Sequence, residues 1–264
     1  MTIKMARPSS FAKILRGVLA YEKQKPAVVQ KMAKLPPQDP DGQALMVTCV
    51  DARLSPTQIT DCQNLDNILY IARNPGNFVP PAWVTANGAS TELAALDLVV
   101  AQSSKRHVLV CGHSTCKAMQ VMWANRNHLH HVSSQKSPIL SCFALAGRPS
   151  LEKMKELLAA PSTPLLFCPE LPSQRFSARF EVAVGLEENA EGAADLLSKI
   201  HVLQQLENIT THQFLKPAID ANNLFLHAMW YNIQSGDMYY FQKSQEKFVK
   251  LTHDTVEAIL ENVE

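Results

Sequence analysis

Apolar positions along this chain alternate between helical spacing and short continuous runs. From Ser9 to Tyr21, Phe11, Ile14, Leu15, Val18 and Leu19 recur at helical intervals. Lys25 to Lys34 reads as a second short helix, so the chain opens on a helical arm. The turn-rich stretch Leu35 to Gly42 then leads into four short apolar runs: Ala44–Cys49, Asn67–Ala72, His107–Gly112 and Pro164–Cys168. Each has the length of a buried strand. Helical stretches separate them. Ser55, followed by Pro56 at the first helical position, starts one that runs to about Asp61. Others are expected over Ser90–Ala101, from Cys116 to about Asn125, and over Ser150–Ala159, opened by Ser150. Pro169 to Glu191 carries mixed signals, broken by Pro172 and Gly185. Ala193–Phe214 has strong helical spacing through Leu196, Leu197, Ile200, Leu203, Leu206 and Ile209. Leu224–Tyr231 and Met238–Gln242 read as a hairpin about Ser235-Gly-Asp237, and Thr252–Val263 as a closing helix.

Strands alternating with helices predict an α/β fold. Its central sheet is expected to be mostly parallel, in the order 2-1-3-4, with an antiparallel C-terminal edge hairpin and helices on both faces. In such sheets, sites form beyond the C-terminal ends of the strands, where the strand order reverses.

Charge changes this picture little. The 264 residues carry 25 basic and 24 acidic side chains, which argues against a nucleic-acid surface. No apolar run is long enough to span a bilayer, and the N-terminus lacks the apolar centre of a secretory signal. Lys4, Arg7, Lys13 and Arg16 precede the first acid, Glu22. That suits a mitochondrial targeting segment, and equally a basic amphipathic helix packed on the body or on a partner. The expected location is the mitochondrial matrix or the cytoplasm. Six cysteines in a chain of this size do not make a disulfide scaffold. Cys62, Cys111, Cys142 and Cys168 read as small apolar residues.

Two strand ends carry the chemistry. After the first strand comes Cys49-Val-Asp-Ala-Arg53, and side chains two apart in extended chain share a face. A thiol, a carboxylate and a guanidinium thus converge. After the third strand comes His113-Ser-Thr-Cys116, where the chain looks helical; residues three apart on a first helical turn lie on one face. With Cys49 arriving from the other strand, two thiolates, one imidazole and an open fourth position would suit catalytic zinc.

Cys-x-Asp-x-Arg followed some sixty residues later by His-x-x-Cys resembles the β-class carbonic anhydrases. Arg73-Asn-Pro-Gly-Asn77 looks like that family's Arg-Asn-x-x-Asn loop. Lys117, Leu203-Gln-Gln-Leu-Glu-Asn208 and Ala228-Met-Trp230 look like its animal branch. The resemblance runs from about Phe11 to the C-terminus. It implies one domain over 11–264, with 1–10 an extension or part of a targeting segment. It implies one Zn²⁺ per chain on Cys49, His113 and Cys116. The implied reaction is reversible hydration of CO2 to bicarbonate and a proton, through zinc hydroxide attack on CO2. Asp51 and Arg53 would be the catalytic pair, Arg53 holding Asp51 ionised and off the metal. Tyr70, Pro75 and the backbone at Gly112 would line the substrate pocket, partly from a neighbouring subunit, in a homodimer or higher homo-oligomer. The sequence departs from the family pattern at Ala52, where serine is usual, at Pro75, where small or apolar residues are common, and at Thr115, where the animal branch often has an acid.

Other readings use the same residues. A closed structural zinc site would need a fourth ligand, which Asp51 or Cys111 could supply. A non-catalytic zinc- or bicarbonate-binding relative would have less use for an intact Asp51–Arg53 pair. A hydrolase of a CO2 analogue such as carbonyl sulfide would keep the site and change its access. His128, His130 and His131 suggest a proton shuttle or second metal site, against which stands a solvated loop. No phosphate-cradling glycine pattern supports a nucleotide site.

Overall fold

The structure is a computed structural model, and it describes residues 10–33, 43–61, 68–85, 90–129, 136–168, 177–181 and 190–261. Residues 1–9, the connector 34–42, Cys62, His130 and His131 lie outside these. Two helices, α1 (Ser10–Tyr21) and α2 (Lys25–Met32), form the expected arm. Phe11, Ile14, Leu15, Val18 and Leu19 stand exposed along α1.

The sheet begins with β1 (Gln43–Cys49), β2 (Ile68–Asn74) and β3 (His107–His113), joined by α3 (Pro56–Ile59), α4 (Ala82–Thr85) and α5 (Thr91–Leu96). α5 widens into π turns over Asp97–Gln102. β1 lies between β2 and β3 and is parallel to both. Leu45, Met46 and Val47 are all buried, as an interior strand covered on both faces requires. After β3 come α6 (Lys117–Ala124), α7 (Pro138–Cys142), a π segment over Phe143–Gly147, and α8 (Arg148–Ala159). Ser150 does not open α8; it is buried in the first turn, its hydroxyl 2.8 Å from Nδ1 of His201.

The expected fourth strand is displaced. Among the described residues, β4 (Leu165–Phe167) pairs with β5 (Ala178–Phe180) alone, antiparallel, in a separate two-stranded sheet. Leu166 is exposed between buried Leu165 and Phe167, so this run has one dry face and is too short for the sheet's interior. Beside β3 lies instead β6 (Phe225–Tyr231), parallel to it, followed by antiparallel β7 (Met238–Gln242) and β8 (Lys247–Lys250). The order is therefore β2-β1-β3-β6-β7-β8. The expected hairpin is present, and its first arm is the parallel strand.

Between β5 and β6, α9 (Ala190–Thr210) crosses β3 and β6, followed by α10 (Lys216–Asp220). Leu197, Ile200, Leu203 and Ile209 of α9 join Leu45, Val47, Val108 and Val110 in the main core. Met46, Cys111 and Met229 form a smaller cluster. α11 (His253–Leu260) closes the chain behind a Thr252–Thr255 capping box. No helix among the described residues is long and apolar enough to cross a membrane.

His201 sits in the middle of α9 with none of its surface exposed, its ring 4.3 Å from that of Phe78. Burial lowers its pKa from 6.5 to about 3. Between these values the unfolded chain binds a proton that the folded chain refuses. This contribution is therefore complete above pH 6.5 and is lost as pH falls towards 3, with a slope of at most about 1.4 kcal/mol per pH unit. Urea unfolding from pH 7 to 4 should show stability falling with pH, and the fall should be shallower in His201→Gln. Parallel curves for the two proteins would contradict this.

Candidate metal centre

Each group at the site is set at an element's end. Cys49 closes β1, and His113 closes β3. Cys116 is not on a helical turn with His113, as the spacing had suggested. The chain leaves β3, turns through Ser114 and Thr115, and enters α6 with Cys116 as its N-cap. Thr115 adopts φ +53°, the left-handed region, and this reversal turns Cys116 back toward His113. The end of β6 pins the turn: Ser114 N donates to Tyr231 O at 2.9 Å, and Ile233 N to the Ser114 hydroxyl at 2.9 Å.

Cys49, His113 and Cys116 are buried, and their ligand atoms all lie within 4.8 Å of one another. The two sulfurs are 3.8 Å apart. Two sulfurs about 2.3 Å from a tetrahedral centre are also about 3.8 Å apart. His113 Nδ1–H donates to the Ser114 carbonyl at 2.9 Å, which leaves the lone pair on Nε2. That Nε2 is buried beside the Cys49 thiol and, among the described residues, makes no hydrogen bond of ordinary geometry. A buried acceptor without a donor is costly, and a cation answers it. Contact with Cys116 lowers the pKa of Cys49, while the same contact and burial raise that of Cys116. The pair thus gives up a first proton easily and a second only when a Lewis acid takes its place. Soft sulfur with imidazole suits a tetrahedral thiolate-binding ion.

Asp51 and Arg53 stand at the rim, with side chains 15% and 49% exposed. Arg53 Nε donates to Asp51 Oδ1 at 2.9 Å and Nη2 to Oδ2 at 2.7 Å. The backbone N–H of Arg53 adds a third bond to Oδ1 at 3.0 Å. These bonds hold the Asp51 carboxyl well below the usual carboxylate range. Both carboxylate oxygens are engaged, and Asp51 is not among the three clustered donors. Arg53 also donates to the Thr115 hydroxyl at 3.0 Å and carbonyl at 3.1 Å.

Arg73 binds the loop beneath this pair. Its guanidinium reaches the carbonyls of Cys49 at 2.9 Å, Asp51 at 2.7 Å and Leu54 at 3.0 Å. Asn74 accepts from Phe78 N at 2.7 Å and donates to Phe78 O at 2.8 Å, closing the turn. Gly76 N–H points at Cys49 Sγ, 3.4 Å away.

The structure therefore assembles Cys49, His113, Cys116, Asp51 and Arg53. Pro75 adjoins Gly76 at the same loop. Tyr70 faces the core four residues before Asn74, the β2 partner of Cys49; that is about 13 Å along the strand. Gly112 serves packing: a Cβ there would meet Val202 Cγ2 at 2.7 Å and Ser198 Oγ at 2.9 Å. Cys111 is buried behind the site, its thiol directed to the Gly112 carbonyl. His128 is exposed beyond α6.

Sequence reading missed the hydrogen-bonding side chains inside α9. Gln205 Oε1 accepts from Val79 N at 2.8 Å, and Asn208 Nδ2 donates to Val79 O at 2.9 Å. Thr211, just past α9, accepts from Ala82 N at 2.8 Å. They supply the segment after the 73–77 turn with the partners a neighbouring strand would give. The Gln-Gln and Asn in Leu203–Asn208 carried that signal, hidden within a regular leucine spacing.

A mostly parallel sheet ending in two thiols and an imidazole, guarded by a paired carboxylate, defines a class: α/β proteins whose strand ends gather donors that could hold a metal ion. A family profile described as carbonic anhydrase matches residues 44–238. Beta carbonic anhydrase 1 of Caenorhabditis briggsae is 35% identical over 260 residues, covering 96% of this chain and 92% of the relative. Among solved structures, the β-carbonic anhydrase CcaA superposes with a TM-score of 0.67 at 19% identity, covering 93% of each chain. One of two tetrameric β-carbonic anhydrases from Sordaria macrospora superposes at 0.59 and 17% identity, over 88% of this chain and 96% of the other. The chain belongs to the β-class carbonic anhydrase family.

Gly76 tests the cradle. It adopts φ +94°, and a Cβ there would meet Phe78 at 2.9 Å and Met119 at 3.0 Å. Gly76→Ala should lower stability by about 1–3 kcal/mol. It should also weaken binding of a thiolate-seeking divalent ion by about tenfold, read by competition with a chelating dye. Unchanged affinity would show that the Gly76 N–H does not support Cys49.

Proposed function

We propose that this chain catalyses the reversible hydration of CO2 to bicarbonate and a proton, with one Zn²⁺ held by Cys49, His113 and Cys116. The observation that carries this is the orphaned, buried Nε2 of His113 facing two thiols at tetrahedral sulfur spacing. Zinc, when bound there, supplies the Lewis acidity that brings the ionisation of water towards neutral pH.

The chain's own residues do the rest. Asp51, ionised by its bonds to Arg53, offers an acceptor at the rim for a hydrogen bond from the attacking water and so orients it. Arg53 occupies both carboxylate oxygens, which restrains Asp51 from swinging to the metal as a fourth ligand. Two thiolates neutralise the ion's formal charge, so ionisation of water should be less favoured than beside three neutral imidazoles, and activity should rise towards alkaline pH. The substrate is small, uncharged and apolar, so shape must position it. Pro75 and the backbone by Gly112 adjoin the site along the chain. Tyr70, lying down the strand, fits a pocket completed between subunits. The intact Asp51–Arg53 pair favours an enzyme over a binding relative.

A homo-oligomer follows from the same reading. The exposed apolar stripe of α1 supports a second copy as its cover. Sedimentation of the full chain should give a dimer or larger, and a stable monomer at micromolar concentration would remove this part.

The decisive test is stopped-flow CO2 hydration across pH together with zinc content. The chain should carry zinc and turn over faster as pH rises. Asp51→Ala should keep its zinc and lose about 100-fold or more in kcat. Loss of zinc in that variant would make Asp51 a ligand. A zinc-loaded but inactive wild type would end the enzymatic reading.

A further inference from the structure

Thr115 lies between the two ligands of one motif and holds the guanidinium that clamps Asp51. Its left-handed backbone is unusual for a β-branched residue and needs an external hold. That hold comes from far along the chain. Thr115 N–H donates to Asp195 Oδ1, on α9, at 2.6 Å. One turn on, Ser198 donates its hydroxyl to the His113 carbonyl at 3.1 Å, and Trp230 Nε1–H donates to the same hydroxyl at 3.2 Å. Positions three apart share a helix face, so one face of α9 grips both ends of the turn that carries His113 and Thr115.

We propose that Asp195 is a positioning residue for the Asp51–Arg53 pair. It fixes Thr115 in its left-handed conformation, and Thr115 in turn receives Arg53 Nη1 on its hydroxyl at 3.0 Å and Nη2 on its carbonyl at 3.1 Å. Arg53 so placed presents Nε and Nη2 to the two oxygens of Asp51. Without Asp195, the turn loses the acceptor for its Thr115 N–H, the two Thr115 oxygens drift, and the guanidinium, itself 49% exposed, has only Asp51 to orient it. The aspartate is not among the clustered metal donors and acts through Thr115 and Arg53. This rests on the enzymatic reading above and deepens it, since it names what keeps the guarding carboxylate in place.

The test uses the full-length, zinc-loaded protein as wild type, D195A, D195N, R53A and D195A/R53A. D195A should keep its zinc and lose about 10–100-fold in kcat, with KM within about twofold of wild type. D195N keeps an oxygen facing the Thr115 N–H and should stay within about threefold of wild type. In the R53A background, adding D195A should change kcat by less than about twofold, because the contact it supports is already gone. Multiplicative losses in the double variant, or a D195N as poor as D195A, would overturn the proposal. A second readout does not depend on turnover. In ¹⁵N NMR spectra of the zinc-loaded and the chelated protein, the Arg53 Nε–H signal should be slow to exchange in wild type and D195N and fast in D195A. An Arg53 signal unchanged in D195A refutes the positioning role whatever the wild-type activity. If the wild type hydrates no CO2, the enzymatic reading fails while the NMR comparison still decides on Asp195. D195S, too short to reach the Thr115 amide, takes the place of D195A if that variant does not fold.

Discussion

β1 and β3 are hydrogen-bonded neighbours in parallel register, with Thr48 opposite Cys111. Parallel strands end on the same side of a sheet, so the residues that follow leave side by side. That pairing alone brings position 49 next to 112 and 113, although more than sixty residues separate them. A shift of one residue would reverse every side chain on the strand, removing Leu45 and Val47 from the main core along with Cys49. Core burial and donor convergence therefore select the same register. Thr48 reinforces it, donating its hydroxyl to the Cys111 carbonyl at 3.0 Å across the two strands.

The donors so gathered are costly to bury together. The Nε2 of His113 makes no ordinary hydrogen bond among the described residues, and an unmet buried acceptor costs about 1–3 kcal/mol. Two thiols in contact cannot both ionise cheaply. A divalent ion relieves both, so metal binding and stability are coupled here. The surroundings hold the donors in place through bonds of their own. Arg73 ties three carbonyls of the 49–54 loop, and Gln205 and Asn208 tether Val79 from inside α9. α9 is thus both the apolar wall of the core and the scaffold of the site's loops. Gly112 follows from this, since a side chain there would push Val202 and Ser198, and hence α9, away from the turn it grips.

How far the sequence disclosed this depended on distance along the chain. Strand ends were legible because a short apolar run followed by Cys-x-Asp-x-Arg or His-x-x-Cys changes character at a definite residue. The Asp51–Arg53 pair was legible because it is local. Spacing alone reads the path from His113 to Cys116 as a helical turn, because the left-handed Thr115 is held by Asp195, eighty positions away, and threonine gives no local sign of it. Pro164–Cys168 was placed in the sheet because a short apolar run does not reveal which faces are covered. Phe225–Tyr231 holds that place, and its seven residues match β3 along its full length. The buried polar groups of α9 were hidden for a related reason: periodicity counts apolar positions and takes polar ones for the wet side.

Thr115 shows what one departure from the family pattern does to the pair above it. An acid at this position would compete with Asp51 for the same guanidinium. Threonine offers Arg53 a neutral hydroxyl and a carbonyl instead, bonds weaker than those to a carboxylate. The two shortest bonds from Arg53 to its partners, 2.7 and 2.9 Å, accordingly run to Asp51. The negative charge near the turn sits instead on Asp195, which meets a backbone N–H and leaves the guanidinium alone. Two carboxylates thus act in series rather than in competition, one holding the turn and the other held by it.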